Sequence, residues 1–369
     1  MNRNNKIINK SNIYTFLISI SLFLFIDFIF GNKISDVIYK PLNPTGVEQI
    51  SDSLHHHKLQ ENFNQTITWN KNTHKLCTDH HGHKISCKNF KKDISDYNFA
   101  LIGDSFTEGI GLNHEDTFVG HLENLNPDLK FLNLGIRSYS NIIYLNRIKE
   151  ILDKKYYNFD ELILLADLSD IQDDSYYYEF DETGNRVISQ APVKTERLVK
   201  NNLRSLFPFT YHSLWLIKEK FSNKCNYLDK CFVRAGWPYN NNFLKNSFVR
   251  EIPNNENEID LAIKTSLNYA KELAILLKKE NIKLTVVVYP WPGNLYHDSL
   301  KSKYVKIWKN FCERNCDNFL NTYPKFFEIK KDQIRDFYLK NDVHFNSKGT
   351  KLIAEEITKK IILDKIKIQ

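Results

Sequence analysis

Short apolar runs alternating with amphipathic stretches constrain this chain more than any other feature. Phe99-Ala100-Leu101-Ile102-Gly103 is a short apolar run ending in a turn, the pattern of a strand buried in a parallel sheet. Lys130-Phe131-Leu132-Asn133-Leu134, Glu161-Leu162-Ile163-Leu164-Leu165-Ala166 and Lys283-Leu284-Thr285-Val286-Val287-Val288-Tyr289 follow as three more. Between them, residues 141–154 carry Ile142, Leu145, Ile148 and Leu152 at helical spacing, 258–279 is similarly amphipathic, and 347–365 closes the chain. Such alternation predicts an α/β fold whose parallel sheet is covered on both faces.

With 369 residues and 42% hydrophobic content, the chain is long enough for one large α/β domain with an extension and a sizeable core. The net charge of +7 fits an anionic surface or substrate. Its lysines are dispersed, however, and no Lys/Arg block interleaves with aromatics, which argues against a nucleic-acid partner.

Residues 13–26 are uncharged, and the apolar stretch resumes past Asp27 to Phe30. That just reaches the roughly 20 residues a helix needs to cross a bilayer. Arg3, Lys6 and Lys10 precede it, which predicts a cytoplasmic N-terminus and a translocated remainder. A cleaved signal peptide calls for small residues before its cleavage point, and Phe28-Ile29-Phe30-Gly31 lacks that pattern. A buried core helix would be amphipathic, and this segment is apolar on every side. The six cysteines fall as Cys77/Cys87, Cys225/Cys231 and Cys312/Cys316, spacing that fits disulfides in an oxidising compartment, the other reading being unrelated buried thiols. Cys312/Cys316 is the awkward pair, because an i,i+4 spacing on a helix is poor disulfide geometry. Anchor and cysteines together predict a membrane protein whose larger part is periplasmic or extracellular.

The organisation expected is therefore a cytoplasmic tail and transmembrane anchor (1–31), a polar extension with a β-hairpin (32–94), and a domain over 95–369 with an insertion at 175–257. In the extension, 66–69 and 74–77 read as strands, Asp79-His80-His81-Gly82-His83 as a turn, and a Cys77–Cys87 bridge as a staple. The insertion holds a hairpin-like Glu182-Thr183-Gly184-Asn185, an aromatic helix-like segment (206–221) and the Cys225/Cys231 loop. It reads as a lid at the active-site edge.

The chemistry-bearing motif is Ile102-Gly103-Asp104-Ser105-Phe106-Thr107-Glu108-Gly109, directly after the first strand. Open α/β sheets bind ligands at the carboxyl ends of their strands. There Ser105 is accessible, with helix-start N–H groups nearby to bind negative charge. Serine needs a base, and Asn341-Asp342-Val343-His344-Phe345-Asn346, just before the last helix, offers His344 with Asp342 to orient it. The plain structural alternative for Ser105 is a helix N-cap, since Glu108 three residues on completes a capping box. His344 has its own plain alternative as a surface or core histidine.

Gly103-Asp104-Ser105-Phe106 resembles the first conserved block of the SGNH/GDSL hydrolases, and Asp342 with His344 resembles their C-terminal block. Asn133-Leu134-Gly135 is similar to the second block, whose glycine N–H serves the oxyanion hole. Asp167-Leu168-Ser169-Asp170 stands where the third block carries Gly-x-Asn-Asp. The resemblance spans about residues 97–360. It implies a flavodoxin-like three-layer sandwich, ester chemistry without metal or organic cofactor, and an oxyanion hole drawn from Ser105, Gly135 and Ser169. Two positions depart from the pattern. Ser169 replaces the third-block asparagine, and Asn341 stands where Asp-x-x-His would place the acid. Asp342-x-His344 instead resembles the alginate acetyltransferase-like branch, which implies carbohydrate O-acyl groups. Gly135 also reads as a simple chain turn, and Asp167 and Asp170 as loop-capping groups.

His55-His56-His57 and His80/His81/His83 invite a metal reading, but structural zinc favours closed sets that include cysteine; solvated or hydrogen-bonded histidines are expected, and no metal. Tyr289-Pro290-Trp291-Pro292 reads either as a sugar platform or as a packed turn. The function expected is an extracytoplasmic serine esterase or O-acyltransferase acting on carbohydrate or other esters, with a membrane acyl-donor protein as a candidate partner. A degenerate polysaccharide-binding or assembly protein, and a lipase or lysophospholipase with a greasy 206–221 segment, are the alternatives.

Overall fold

The computed structural model describes residues 10–39, 48–70, 72–189, 206–211, 213–214, 232–234, 256–340 and 342–363. The chain forms two compact units, residues 1–44 with 191–224, and 45–190 with 225–369.

The smaller unit is built on α1 (Lys10–Tyr39), longer than the apolar segment that seeds it. Its stretch Ile13–Ile34 is long and apolar enough to cross a membrane, and side chains such as Phe16, Leu17, Ile18 and Leu22 are exposed.

The larger unit opens with antiparallel pieces. β1 (Gln49–Asp52) pairs with β2 (His56–Leu59), while β3 (Asn64–Trp69), β4 (Asn72–Thr78) and β5 (Lys84–Ile85) form a three-stranded sheet. The β3–β4 register runs from Asn64↔Cys77 to Trp69↔Asn72, so Trp69 lies at the hairpin tip. A Cys77–Cys87 disulfide closes the 10-residue loop after β4.

The main sheet follows: β6 (Asp96–Ile102), β7 (Phe131–Asn133), β8 (Asn158–Ala166), then, past the small hairpin β9 (Tyr178–Phe180)–β10 (Val187–Ser189), β11 (Lys283–Val288) and β12 (Asn318–Asn321). Its order is β7-β6-β8-β11-β12, and every pairing is parallel. By chain order within the sheet this is 2-1-3-4-5, the flavodoxin-like winding, whose direction reverses between β6 and β8. The sheet faces separate cleanly by residue parity. Ala100, Ile102, Leu162, Leu164, Val286 and Val288 pack on one face, and Phe99, Leu101, Ile163, Leu165 and Val287 on the other. Helices α4 (Asn141–Lys154), α5 (Asp170–Tyr176), α6 (Glu256–Lys279) and α7 (Lys303–Asn315) cover the first face, with Ile142, Leu273 and Trp308 fully buried. Helices α3 (Phe118–Leu125) and α8 (Ser347–Ile357) cover the second through Phe118, Leu122, Ile353 and Ile357. Each such side chain contributes about 1.5–3 kcal/mol on leaving water.

Several expectations change in detail. The closing helix ends at Ile357 and continues as a π-helical turn, Thr358–Ile362. Cys312 and Cys316 are bonded because Cys316 has left α7 for extended backbone (φ −122°, ψ 155°), which removes the i,i+4 obstacle. Cys225, Cys231 and much of the 206–221 segment and of the lid-like insertion lie outside the described residues.

Candidate active site

The loops leaving β6 and β8 bracket the reversal point, and the first of them carries Ser105. Asp104, not Ser105, is the N-cap of the short helix α2 (Ser105–Glu108): its Oδ1 accepts the Phe106 N–H at 3.0 Å. The capping-box reading of Ser105 and Glu108 therefore fails, and the serine hydroxyl does not cap the helix. Gly103 permits the tight strand-to-helix turn, since a Cβ there would meet Thr107 Oγ1 at 2.1 Å and the Leu165 carbonyl at 2.9 Å. Asp104 and Phe106 are buried, whereas Ser105 and His344 are half-buried and reach solvent.

The loop between the Tyr338–Phe345 bridge partners brings the distant end of the chain to this point. His344 Nε2 lies 2.8 Å from Ser105 Oγ. Its Nδ1 lies 2.5 Å from Asp342 Oδ1, so with Nδ1 protonated toward the carboxylate, Nε2 is the acceptor for the serine hydroxyl. The close Asp-x-His spacing works because Asp342 Oδ1 also accepts the N–H groups of Val343 (2.6 Å) and His344 (3.0 Å), folding the carboxylate back over its own turn.

Electrostatics follow from these contacts. Burial alone would raise the Asp342 pKa, but the charge of His344 and hydrogen bonds from His344 and Asn70 hold it well below the usual carboxylate range. Burial would lower His344, and the Asp342 charge and hydrogen bond outweigh it, leaving the imidazole raised above 6.5. Asp104, buried beside Asp167, is pushed upward, and its Oδ2 lies 2.9 Å from Ser105 Oγ as a second partner for that hydroxyl.

The other expected site residues each meet a protein partner. The Gly135 N–H donates to Asn133 Oδ1 at 2.9 Å, and the Ser169 hydroxyl and N–H both donate to Asp167 Oδ1, at 2.6 and 2.8 Å. Both groups face inward to protein acceptors in this arrangement. The Ser105 N–H belongs to the first turn of α2, where backbone donors have no intrahelical partner. Tyr289 is 1% exposed and donates to Asp167 Oδ2 at 2.6 Å, so its ring offers no platform to a sugar. Half-buried Trp291 donates to the same oxygen at 2.9 Å. The pair braces Asp167. Asp170 in turn accepts the Asp167 N–H.

Sequence reasoning missed the residues behind the acid. Asp342 Oδ2 accepts Trp69 Nε1 and Asn70 Nδ2, each at 2.8 Å, both from the tip of the β3–β4 hairpin. The Arg137 guanidinium stacks over the Trp69 ring at 5.5 Å. The same Arg137 donates to Glu108 of α2 through its backbone N–H, Nε and Nη2, and to Glu48 through Nη1 at 2.7 Å. Burial would raise Glu108, but the Arg137 charge and hydrogen bonds hold it below its ordinary value. No local motif signals these contacts, since their partners lie far apart in sequence.

The histidine runs have protein partners of their own. His55 meets Asp52 at 3.0 Å, His57 Nε2 the Arg137 carbonyl at 2.8 Å, and His83 the Tyr157 hydroxyl at 3.0 Å. Among the described residues no group of three or more His, Cys, Asp or Glu side chains is gathered to hold a metal ion.

No protein-family profile matches the chain, and no curated protein matches it. Among solved structures it is similar to the psychrotrophic esterase EstA from Pseudoalteromonas sp., at 13% identity and a TM-score of 0.38 over 72% of this chain and 97% of that one. It is also similar to a putative lipolytic protein of the G-D-S-L family from Desulfitobacterium hafniense (13% identity, TM-score 0.36, 72% and 99% covered). A third is a catalytic mutant of Axe2, an acetylxylan esterase from Geobacillus stearothermophilus (13% identity, TM-score 0.39, 72% and 95% covered).

Proposed function

We infer that this chain is a serine-dependent esterase or O-acyltransferase of the SGNH type, and one observation carries the reading: Ser105 Oγ and His344 Nε2 are 2.8 Å apart while Nδ1 of the same ring is bound to Asp342. Nucleophile, base and orienting acid thus form one hydrogen-bonded line.

In the reaction, Ser105 Oγ attacks the ester carbonyl as its proton passes to Nε2. The Ser105 N–H, joined by Gly135 N–H once that group turns from Asn133, stabilises the tetrahedral oxyanion. Collapse breaks the ester C–O bond, and the imidazolium protonates the departing alkoxide. His344 then takes a proton from water or a sugar hydroxyl as that oxygen attacks the acyl-serine, and the imidazolium returns the proton to Ser105 Oγ as the acyl–serine bond breaks. Water gives an esterase and a sugar hydroxyl a transferase, because the acyl-enzyme is common to both. The Asp342-x-His344 spacing, similar to the alginate acetyltransferase-like branch, supports acetylated exported carbohydrate as substrate. The apolar length of α1 and the Cys77–Cys87 and Cys312–Cys316 disulfides support a membrane-anchored enzyme with its catalytic unit outside the cytoplasm. A membrane acyl-donor protein is the partner that a transferase outcome would require.

A second reading is a non-catalytic polysaccharide-binding protein, and it is favoured by the inward-facing Gly135 N–H and Ser169 hydroxyl. Turnover of p-nitrophenyl acetate separates the two. The enzyme reading expects activity that Ser105→Ala abolishes while the circular dichroism spectrum is retained; turnover unchanged in that variant rejects it.

A further inference from the structure

Asp27 is the one carboxylate in Ile13–Ile34, and it is 2% exposed where its neighbour Phe28 is 58% exposed. Its Oδ1 accepts the Phe209 N–H at 3.0 Å and its Oδ2 the Thr210 N–H at 2.8 Å. Residues 208–211 are helical, with Tyr211 N–H bonded to the Phe207 carbonyl, so Asp27 satisfies donors at a helix start that would otherwise lack partners. Neighbouring positions on α1 complete the seat. Phe23 meets Phe209 edge-on at 6.1 Å, and a Cβ at Gly31 would come within 2.9 Å of Pro208 Cγ. Phe23, Asp27 and Gly31 are spaced four apart and therefore share one helix face.

A carboxylate inside an apolar helix is costly in lipid and is tolerated when a partner satisfies it. Backbone groups entering lipid must likewise be paired. Here each solves the other's problem. The docked segment is itself apolar: Leu206-Phe207-Pro208-Phe209-Thr210-Tyr211 continues in sequence to Leu214-Trp215-Leu216-Ile217, between Arg204 and Lys218. Residues 206–217, 12 in all with His212 and Ser213 between the two runs, fall short of the roughly 20 needed to span a bilayer. They have instead the make-up of a segment that rests in the membrane face.

We propose that the 206–211 segment is a second membrane contact, seated in lipid against α1 with Asp27 as its receptor, so that the surface formed by α1 and this turn has the bilayer as its partner. The proposal rests on the membrane reading of α1. The test is photo-crosslinking of the full chain, reconstituted in phosphatidylcholine vesicles whose acyl chains carry a diazirine, followed by peptide mapping. Adducts are expected on peptides from both Ile13–Ile34 and 206–214. In Asp27→Ala the 206–214 adducts should fall about tenfold, the effect of losing hydrogen bonds to a charged acceptor, while those on α1 persist. Asp27→Asn, which keeps one acceptor oxygen, should fall between. Adducts on α1 alone overturn the proposal and leave the anchor standing. Adducts on neither peptide overturn both, and full 206–214 labelling in Asp27→Ala overturns Asp27 as the receptor.

Discussion

The indole N–H of Trp69 donates to Oδ2 of Asp342 at 2.8 Å, joining a hairpin near the start of the chain to the acid that orients His344. Asn70 donates to the same oxygen, and Arg137 links the Trp69 ring to Glu108 on the helix that carries Ser105. Ser105 and Asp342, more than 200 residues apart, are thus held from one side by a single network. Under the proposed function the hairpin is a working part of the site.

Trp69→Phe and Asn70→Ala should each lower kcat for an aryl acetate about tenfold, the worth of a hydrogen bond to a charged group. KM should hold, because neither side chain touches the ester. A carboxylate deprived of donors binds a proton-bearing imidazole more strongly, so the acid limb of the pH–rate profile should move upward. A pH profile of both variants checks this. A loss of activity with an unmoved limb would mark the contacts as merely structural.

Asp342→Asn should move the same limb the other way. In the proposed reaction neutral His344 is the base, and its pKa is raised above 6.5, so wild-type kcat/KM should climb through a midpoint above that value. Removing the charge that raises it should bring the midpoint down. It should also lower kcat by about 10⁴, as for the equivalent change in other Ser-His-Asp sites.

Arg137→Met leaves Glu108 and Glu48 buried without their cation and should cost about 3–5 kcal/mol in urea unfolding at neutral pH. The sign with pH is definite. Glu108 titrates below 4.5 in the folded chain, so its contribution is present above 4.5 and is lost as acid protonates it. The variant should lack that part of the acid dependence, and stability measured down through pH 4 tests it.

Gly135→Ala would place a Cβ 2.3 Å from the Glu108 nitrogen and 2.5 Å from the Thr107 carbonyl carbon. That peptide of α2 cannot yield cheaply. The change should destabilise the unit by about 1–3 kcal/mol and displace α2, abolishing turnover more than stability alone explains. Thermal unfolding beside single-turnover rates separates the two effects.

What the sequence disclosed follows from locality. The four strands with strong apolar runs were legible because both their faces are buried, and α4 because its apolar positions recur at helical spacing. β12 was missed: its four residues, Asn318–Asn321, contain only Phe319 and Leu320 as apolar side chains, too little to read as a strand. Ser105, Asp342 and His344 could be singled out because each sits in a local motif at a strand or helix boundary. Trp69, Asn70, Glu48 and Arg137 could not, since their roles exist only once the hairpin meets the last loop. Tyr289 stayed open between a sugar platform and a packed turn for a related reason. Its place after a strand was legible, but the Asp167 carboxylate that draws it inward is a tertiary partner.

His344 is proposed to make Ser105 a nucleophile. Intact-mass analysis of the full chain after treatment with a fluorophosphonate tests it most directly. A single adduct that maps to Ser105 and disappears in His344→Ala is the predicted result. A chain that stays unmodified under conditions that label a control serine esterase, or an adduct undiminished in His344→Ala, would contradict it.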